Sequence, residues 1–348
     1  MSYLLKKTAY AVLVLLGVVM LVFAMFQGFG DPARLIVGQT GDKKTLDNIR
    51  KELYLDQPKW KQFLYYLNDV SPIAIHSKAS IEKKELKGFF IGNDHNKLAF
   101  KIPYLGKSYQ TKKSTLSVLT EALPGTIVLA LTAMIFACVA GIFLGVVAAV
   151  YKNSWIDQTA IFSSIAGISA PSFFMAILIA YLFGIVWHDF TGLHLTGSLY
   201  EINEVTGEEY IALKNLILPA FTLGIRPLAI ITQLTRSAML DTLSQDFIRT
   251  AYAKGLSTRT VVFKHALRNA LNPVITAITG WFAELLAGAF FIEYIFGWRG
   301  IGKITVDALE KLDYPVVMGA VLLSALIFIL INMLADILYR IVDPRIRS

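Results

Sequence analysis

Charged residues and cysteine are both scarce in this sequence. Only 17% of its 348 residues are charged, whereas about a quarter are charged in a typical soluble domain. It has a single cysteine, Cys138, which excludes a disulfide framework and a cysteine-rich metal site. Apolar residues make up 55% of the chain, and the mean hydropathy is +0.57. This composition excludes a disordered chain, a fibrous repeat and an ordinary cytosolic enzyme.

The sequence contains several long apolar runs with few or no charged residues. A helix that crosses ~30 Å of hydrocarbon needs about 20 mostly apolar residues, because each residue rises ~1.5 Å. Six runs have this length, with Arg226 as the charge in the fourth and Glu284 as the charge in the fifth. The sequence therefore predicts six transmembrane helices. The six runs are residues 9–26, 122–151, 158–187, 215–235, 273–292 and 314–335.

The first apolar run has two possible fates. Lys6 and Lys7 precede it, and a basic start followed by an apolar stretch also describes a cleaved signal peptide. The run is longer than a typical signal-peptide core of about 7–15 residues, and no A-x-A cleavage pattern follows it. We expect a retained helix.

Lysine and arginine in short loops indicate orientation, because cytoplasmic loops carry an excess of both. Residues 241–272 carry five basic residues, whereas residues 188–213 carry none and five acidic residues. We therefore expect 241–272 and both termini in the cytoplasm. Residues 28–115 would lie outside with 14 Lys and 2 Arg against 9 acidic residues, and long loops escape the charge bias. Most of the formal charge of +8 lies in that stretch, so no nucleic-acid partner is expected.

Two fragments imitate a phosphate-binding loop without completing it. Residues 297–303 have the sequence G-W-R-G-I-G-K, but Ile304 occupies the position of the metal-binding hydroxyl. Residues 106–108, G-K-S, have the right ending, but Lys101 stands where the first glycine should be. Both fragments lie outside in the predicted topology, away from cytoplasmic ATP. The chain therefore has no predicted nucleotide site.

Two further patterns have simple structural explanations. His188, Asp189 and His194 could approach a metal ion in an external loop, but no metal-binding spacing accompanies them, and we favour incidental polar residues. A row of small residues, each four positions apart, lies on one face of the second run, where helices approach closely in a membrane. We expect this row to pack against another helix. The row consists of Ala137, Gly141, Gly145 and Ala149.

The cytoplasmic stretch 246–273, DFIRTAYAKGLSTRTVVFKHALRNALNP, has a helix–turn–helix pattern. Gly255 can adopt the left-handed conformation that ends a helix, and Ser257 can cap the next one. The second helix separates an apolar stripe from basic residues. Such a pair of short helices suits a membrane surface or a partner's groove, with a solvated charged loop as the alternative. The stripe is Val262, Ala266 and Ala270, with Phe263, Leu267 and Leu271 beside it; the basic residues are Arg259, Lys264 and Arg268.

Four parts of this stretch match a known motif: Arg249-Thr250-Ala251, Ala253-Lys254-Gly255-Leu256, His265-Ala266-Leu267-Arg268-Asn269-Ala270-Leu271 and Pro273. They resemble the EAA loop of ABC-importer permeases, in the version found in dipeptide and oligopeptide permeases. Arg249 replaces the glutamate of the general pattern, and the glycine-to-proline spacing is longer than in sugar permeases; the peptide subfamily shares both departures. Further family-like stretches are residues 29–34, 55–58, 123–124, 296–302, 313–315 and 343–345.

Two departures from the family pattern concern substrate detail. Residues from about 71 to 102 look like an external insertion, and Arg299 stands where the family usually has proline.

The resemblance implies an all-α integral membrane protein with six transmembrane helices. A large external loop would join helices 1 and 2, and a cytoplasmic coupling-helix loop would join helices 4 and 5. The regions would be the first transmembrane helix (1–27), an external, periplasmic region (28–115), a permease core with five helices (116–338) and a cytoplasmic tail (339–348). The location would be the bacterial inner membrane, with both termini cytoplasmic.

The resemblance also implies a transport subunit of an ABC importer for di- or oligopeptides or related small solutes, and not an enzyme. Its partners would be a second homologous permease subunit, two ATPase subunits that hold ATP and Mg²⁺, an external solute-binding protein, a peptide-like substrate and membrane lipid. This chain would bind no cofactor or metal and have no catalytic residue. The coupling residues would be Arg249, Thr250, Ala251, Ala253, Lys254, Gly255, Leu256, His265, Leu267, Arg268, Asn269 and Pro273.

Arg226 and Glu284 lie at matching depths. They stand 11 residues from positions 215 and 273, roughly 16 Å at ~1.5 Å per residue, which is the middle of a ~30 Å core. Opposite charges at one depth should pair or line a wet cavity, and Pro227 can bend the helix there. The pair could hold two helices in register or line a translocation path. In the alternative of an ion-gradient-driven secondary transporter, the same two residues would carry the coupling. A third possibility is an integral-membrane enzyme, but the sequence contains no recognisable catalytic constellation.

Overall fold

The computed structural model describes residues 2–28, 33, 46–47, 50–51, 54–203, 206–287 and 289–342. Of these residues, 73% are helical. It divides into two compact units: Met1–Glu121 with Ile304–Leu326, and Ala122–Lys303 with Ile327–Ser348. The predicted motif residues 29–32, 34 and 343–345 lie outside the described part of the chain.

In the first unit, helix α1 (Ser2–Gly28) packs on helix α2 (Lys59–Val70). The Phe23 ring of α1 lies 5.3 Å from the ring of Phe63, and the Gln27 amide donates to the side-chain oxygen of Gln62 at 2.9 Å. Because the apolar stretch of α1 extends to Gly28, α2 lies beside the last turns of a membrane-spanning helix.

A small antiparallel sheet follows α2 in the same unit. Its strand order is β1-β3-β2, and one face is buried, through Ala74 and His76 of β1 and Ala99 and Lys101 of β3. The prediction of an all-α protein is therefore wrong for residues 73–101. The period-two alternation of strands was present in the sequence, but the stretch was interpreted only as an external insertion. The elements are β1 (Ile73–His76), α3 (Lys78–Lys84), β2 (Gly88–Asn93) and β3 (Asn96–Lys101).

The buried face of this sheet carries charge. The Lys101 ammonium donates to the backbone carbonyl of Asp69 in α2, and the Asp69 carboxylate pairs with Lys84 at 2.6 Å. Burial lowers the pKa of Lys101 to about 8, and burial together with Lys101 lowers the pKa of His76 below its usual value. These groups join α2, α3 and the sheet into one module.

The second unit contains a bent helix pair that the sequence did not predict. Helix α5 (Trp155–Ser169) ends at Ala170, and Pro171 precedes helix α6 (Ser172–Tyr181), which a π-helical turn extends through Leu182–Val186. The two halves meet at 107°. The predicted span 158–187 is therefore interrupted at Pro171, because proline disfavours helical geometry in the residue before it.

The row of small residues packs between helices as predicted. Helix α4 (Thr115–Val150) contacts helix α8 (Lys214–Leu243) along this row. A Cβ atom on Gly145 would lie 2.6 Å from Cβ of Thr235, and one on Gly141 would lie 2.9 Å from a methyl carbon of Ile231. The absence of side chains at these two positions permits the close approach.

Four helices of the described residues are long and apolar enough to cross a membrane, or five spans if the bent pair counts as one. The four are α1, α4, α8 and α14 (Tyr314–Val342). The fifth predicted run, 273–292, falls on helix α11 (Leu267–Ala287) and helix α12 (Phe290–Ile295), with a break between them. The prediction of six spans is thus confirmed only as a helical protein with four to five apolar spans.

Short elements complete the second unit. The hairpin of β4 and β5 is held to the start of α8, because the Asn215 amide donates to the Glu201 carboxylate at 2.7 Å and to the Ser198 carbonyl at 3.0 Å. These strands are a second departure from the all-α prediction. The remaining bounds are α7 (His188–Thr191), β4 (Tyr200–Ile202), β5 (Glu209–Ile211), α9 (Asp246–Ala253), α10 (Thr258–Thr260, continued by a π-helical turn over Val261–Ala266) and α13 (Ile301–Glu310).

Candidate functional site

The segment from Asp246 to Pro273 begins with a helix that ends on glycine. The Gly255 N–H donates to the Tyr252 carbonyl at 2.9 Å, and the Leu256 N–H donates to the Ala251 carbonyl at 3.3 Å. This pair of bonds is the Schellman motif, which requires a left-handed residue, and Gly255 has φ +78°. The Ser257 hydroxyl then accepts from the Thr260 N–H at 3.4 Å, so both helix signals act where the sequence predicted them.

The second helix of the segment is longer than predicted. Helix α10 runs through the π-helical turn Val261–Ala266 into α11 without a stop, and Pro273 lies inside α11. The prediction of two short helices is therefore wrong for the second one. Because α11 also carries most of the fifth predicted span, a force applied near Gly255 has a direct helical path into the core of the second unit.

The inner face of the segment packs on the protein's own core. Ile248 and Ala251 of α9, with Val262 and Ala266 of the second helix, join a cluster that contains Met239 of α8. The stripe Val262, Ala266 and Ala270 is buried in this cluster, whereas the sequence suggested a membrane surface or a partner's groove as its cover. The neighbouring Phe263 instead points outward and is 54% exposed.

The outer face carries most of the residues predicted to contact an ATPase. Among them, Ala251 is buried and His265 and Leu267 are half-buried. The exposed ones are Arg249, Thr250, Ala253, Lys254, Gly255, Leu256, Arg268, Asn269 and Pro273. Two exposed aromatic residues on this face, Phe247 and Tyr252, were not singled out from the sequence, and a third, Phe263, was placed beside the apolar stripe. Their signal was in the sequence, as aromatic residues within amphipathic helices.

A cavity of about 160 Å³ lies between α8, α11 and the bent helix pair. Arg226 and Glu284 both line it, as do Trp281 and Ser172. The Arg226 guanidinium carbon lies 5.5 Å from the centre of the Trp281 ring, a cation–π distance. Within the described residues, no ion pair joins Arg226 to Glu284, so the structure brings the two charges to one cavity without joining them.

The walls of this cavity are otherwise mainly apolar, with Met175, Leu223 and Phe291 among them. An apolar pocket with a few charged groups is the usual form of a small-molecule site. One cation and one carboxylate, held apart, can attract a small ligand that carries both charges.

An ion pair that the sequence analysis missed joins α5 to α8. Asp157 accepts from Arg236 through both carboxylate oxygens, at 2.8 Å for the Nη2 contact. Asp157 also accepts from the Asn153 N–H at 2.9 Å, and its side chain is 2% exposed. Neither residue stood out in the sequence, because their positions are 79 residues apart.

The fragment at residues 297–303 is built around the protein's own carboxylate. Glu293 is fully buried and accepts from the Lys303 N–H at 3.1 Å and from the Thr126 hydroxyl at 2.8 Å. The Glu293 carboxylate thus caps the start of α13. His188 and His194 have ring centres 5.3 Å apart, and among the described residues no three His, Cys, Asp or Glu side chains converge as a metal site would need.

Curated relatives match the whole chain. The dipeptide transport system permease protein DppB of Escherichia coli is 36% identical over 368 residues, covering 100% of this chain and 99% of the relative. The di/tripeptide transport system permease protein DppB of Pseudomonas aeruginosa is 36% identical over 364 residues, with the same coverage. The glutathione transport system permease protein GsiC of Escherichia coli is 32% identical over 348 residues, again with the same coverage.

A solved structure shares the fold. An inward-facing conformation of the MetNI methionine ABC transporter aligns with a TM-score of 0.50 and 18% identity, over 66% of this chain and 97% of that one. Residues 141–348 match the family model for the "Binding-protein-dependent transport system inner membrane component", and residues 1–79 match the model for the N-terminal part of such proteins. The chain therefore belongs to the family of binding-protein-dependent transport system inner membrane components and is a permease subunit of an ABC importer.

Proposed function

We propose that this permease moves di- or oligopeptides, or small solutes with similar charged ends, through the cavity lined by Arg226 and Glu284. The observation that carries the proposal is that these two opposite charges line one mainly apolar cavity without forming an ion pair with each other. A peptide in water has one cationic and one anionic end, so the two residues complement both. The relatives described above, two peptide permeases and one glutathione permease, point to the same class of cargo.

We further propose that the segment Asp246–Pro273 receives the movement of the ATPase. Its inner face is packed on the second unit, whereas its outer face presents basic side chains with Phe247, Tyr252 and Phe263. Exposed aromatic residues among arginines are typical of binding hot spots. Because the second helix continues into α11, closure of the ATPases would displace α11 and, with it, Glu284.

The proposal extends to the number of spans, the orientation of the chain and the subunits of the importer. Six spans would form if α11 crosses the membrane and the bent helix pair crosses once, which leaves both termini and the coupling segment in the cytoplasm. The complete importer would contain a second homologous permease subunit, two ATPase subunits with ATP and Mg²⁺, and an external solute-binding protein. Family membership does not favour the alternative of an ion-gradient-driven transporter.

Exchange of the two charges tests the path. The complex would be reconstituted in proteoliposomes with its binding protein, and ATP-dependent uptake of a dipeptide would be compared with uptake of its N-acetylated and C-amidated forms. We expect Arg226→Glu combined with Glu284→Arg to restore assembly but not uptake or its preference for free termini. If the exchange restores both assembly and uptake, the pair is structural. If neither single change affects uptake, the cavity does not carry cargo.

A conservative control separates loss of charge from loss of packing. Arg226→Lys keeps the cation, and Glu284→Gln keeps the shape while it removes the charge. On the proposed path, Arg226→Lys retains part of the uptake and Glu284→Gln loses discrimination against the N-acetylated dipeptide. Equal uptake of free and acetylated dipeptide by the unmodified complex would contradict the role of Glu284.

A further inference from the structure

We propose that the outer face of the three-stranded sheet is a permanent interface with the second, non-identical permease subunit. Six large apolar side chains form this outer sheet face, in two cross-strand rows. The rows are Ile73–Phe100–Phe89 and Ile75–Leu98–Ile91, in direct register across β1, β3 and β2. Each of the six is between 41% and 67% exposed, although large apolar side chains in register normally form a core.

Within this unit, α2 lies between α1 and the sheet. Helix α2 packs on α1 through Phe63, and it holds the opposite face of the sheet through Asp69, whose carbonyl binds Lys101. The order within this unit is thus α1, α2, sheet, outer sheet face. The side chains of the two rows point away from α2, because successive residues of a strand alternate between faces.

The composition of the face favours a partner that stays bound. Neither row contains a charged or polar side chain, and core-like apolar composition is typical of permanent subunit interfaces, whereas transient interfaces are about as polar as the rest of a surface. A soluble surface rarely leaves a patch of several hundred Å² in water. A binding protein that docks and leaves in each cycle would expose the face repeatedly.

The charge around the face excludes a second copy of this chain. Residues 71–114 contain nine lysines and three acidic residues, so two identical modules packed face to face would bring like charges together. The partner surface should have an apolar centre with acidic residues around it. This inference rests on the proposed function, because it needs an importer with a second permease subunit.

Thiol labelling tests the occupant in the complete complex. Cys138→Ser removes the single cysteine, after which Ile75→Cys reports on the outer sheet face and Glu82→Cys, exposed on α3, serves as the matched control. A membrane-impermeant maleimide would be applied to the complex in nanodiscs and to the full chain purified without the second permease. We expect labelling at position 75 to be about tenfold slower in the complex, as for a site that reacts only on local opening, and unchanged at position 82.

Each other outcome overturns the inference. Fast labelling at position 75 in the complex means that the face is open, and protection that needs added binding protein means that the binding protein is the occupant. Protection in the chain purified alone means that lipid or the chain itself covers the face. Two differently tagged copies of this chain should not purify together, and their joint recovery would contradict a non-identical partner. If no second permease purifies with the chain, the proposed function fails, and the inference with it.

Discussion

Replacement of Gly255 by valine should uncouple ATP hydrolysis from transport. Gly255 has φ +78°, and a Cβ atom there would meet no other atom within 4 Å. The effect of a side chain is therefore purely conformational, about 1–2 kcal/mol for a residue forced into the left-handed region. That free energy corresponds to a change of about 5- to 30-fold in the ratio of the native segment to its altered forms.

The assay is uptake of dipeptide and substrate-stimulated ATP hydrolysis by the assembled complex in proteoliposomes. We expect Gly255→Val to reduce both by at most about 5- to 30-fold, because the fraction of molecules that keep the bend cannot fall by more than the change in this ratio. The yield of assembled complex should stay near normal, since the new side chain makes no clash. Gly255→Asn should retain more activity, because asparagine enters the left-handed region more readily than valine.

Gly192 provides a matched control with the same strain at another place. It ends α7 with φ +62°, and a Cβ atom there also meets nothing within 4 Å. Gly192→Val should therefore alter stability by a similar amount while coupling remains normal. Our reasoning is refuted if Gly255→Val couples like the unmodified complex, or if Gly192→Val impairs coupling equally.

Three further predictions concern packing, a buried ion pair and pH. Gly145→Val should destabilise the complex by about 1–3 kcal/mol through overpacking, whereas Gly280→Val, which has open space, should not; equal melting temperatures would contradict the packing. Asp157→Asn should cost about 1–3 kcal/mol, and the cost should be smaller in an Arg236→Gln background; additive losses would mean that the pair is not coupled. The module of α2, α3 and the sheet should gain stability as pH rises between about 8 and 10.5, because the unfolded chain binds the Lys101 proton more tightly. Lys101→Met should remove this pH dependence in limited proteolysis, and a dependence that persists would assign it to another group.

Local signals explain the part of the coupling segment that the sequence predicted. A glycine after a helix and a serine before the next act through bonds to residues three to five positions away, and these are the bonds of Gly255 and Ser257. The continuation of the second helix into α11 was not predicted, because Pro273 suggested a boundary. Inside a membrane protein, neighbouring helices and local adjustments can satisfy the carbonyl that a proline leaves free.

The other prolines also show that a proline in the sequence does not by itself predict where a helix ends. Pro171 separates α5 from α6 at an angle of 107°, whereas Pro124, Pro219 and Pro227 lie inside helices α4 and α8 that continue past them. The residue type is the same in all four cases. Only the packing around each position decides whether the helix breaks, so the broken span could not be distinguished from a straight one by its apolar run.

Depth arithmetic placed Arg226 and Glu284 at one level, and the structure brings both to one cavity. It did not predict that Arg226 would face Trp281, because depth leaves the rotation of each helix undetermined. The ion pair of Asp157 and Arg236 was not predicted for a similar reason, because it depends on the angle at which α5 meets α8.

The sequence by itself determined the membrane-spanning character, the helix ends at Gly255 and Ser257, and the family, because apolar run length, capping and motif identity are properties of neighbouring residues. Tertiary structure alone decided three things: the bend at Pro171, the shared cavity of Arg226 and Glu284, and the face that the external sheet leaves open. Each depends on which surfaces of distant segments meet, and the free energy of that packing is set by shape and burial across the fold rather than by local order along the chain.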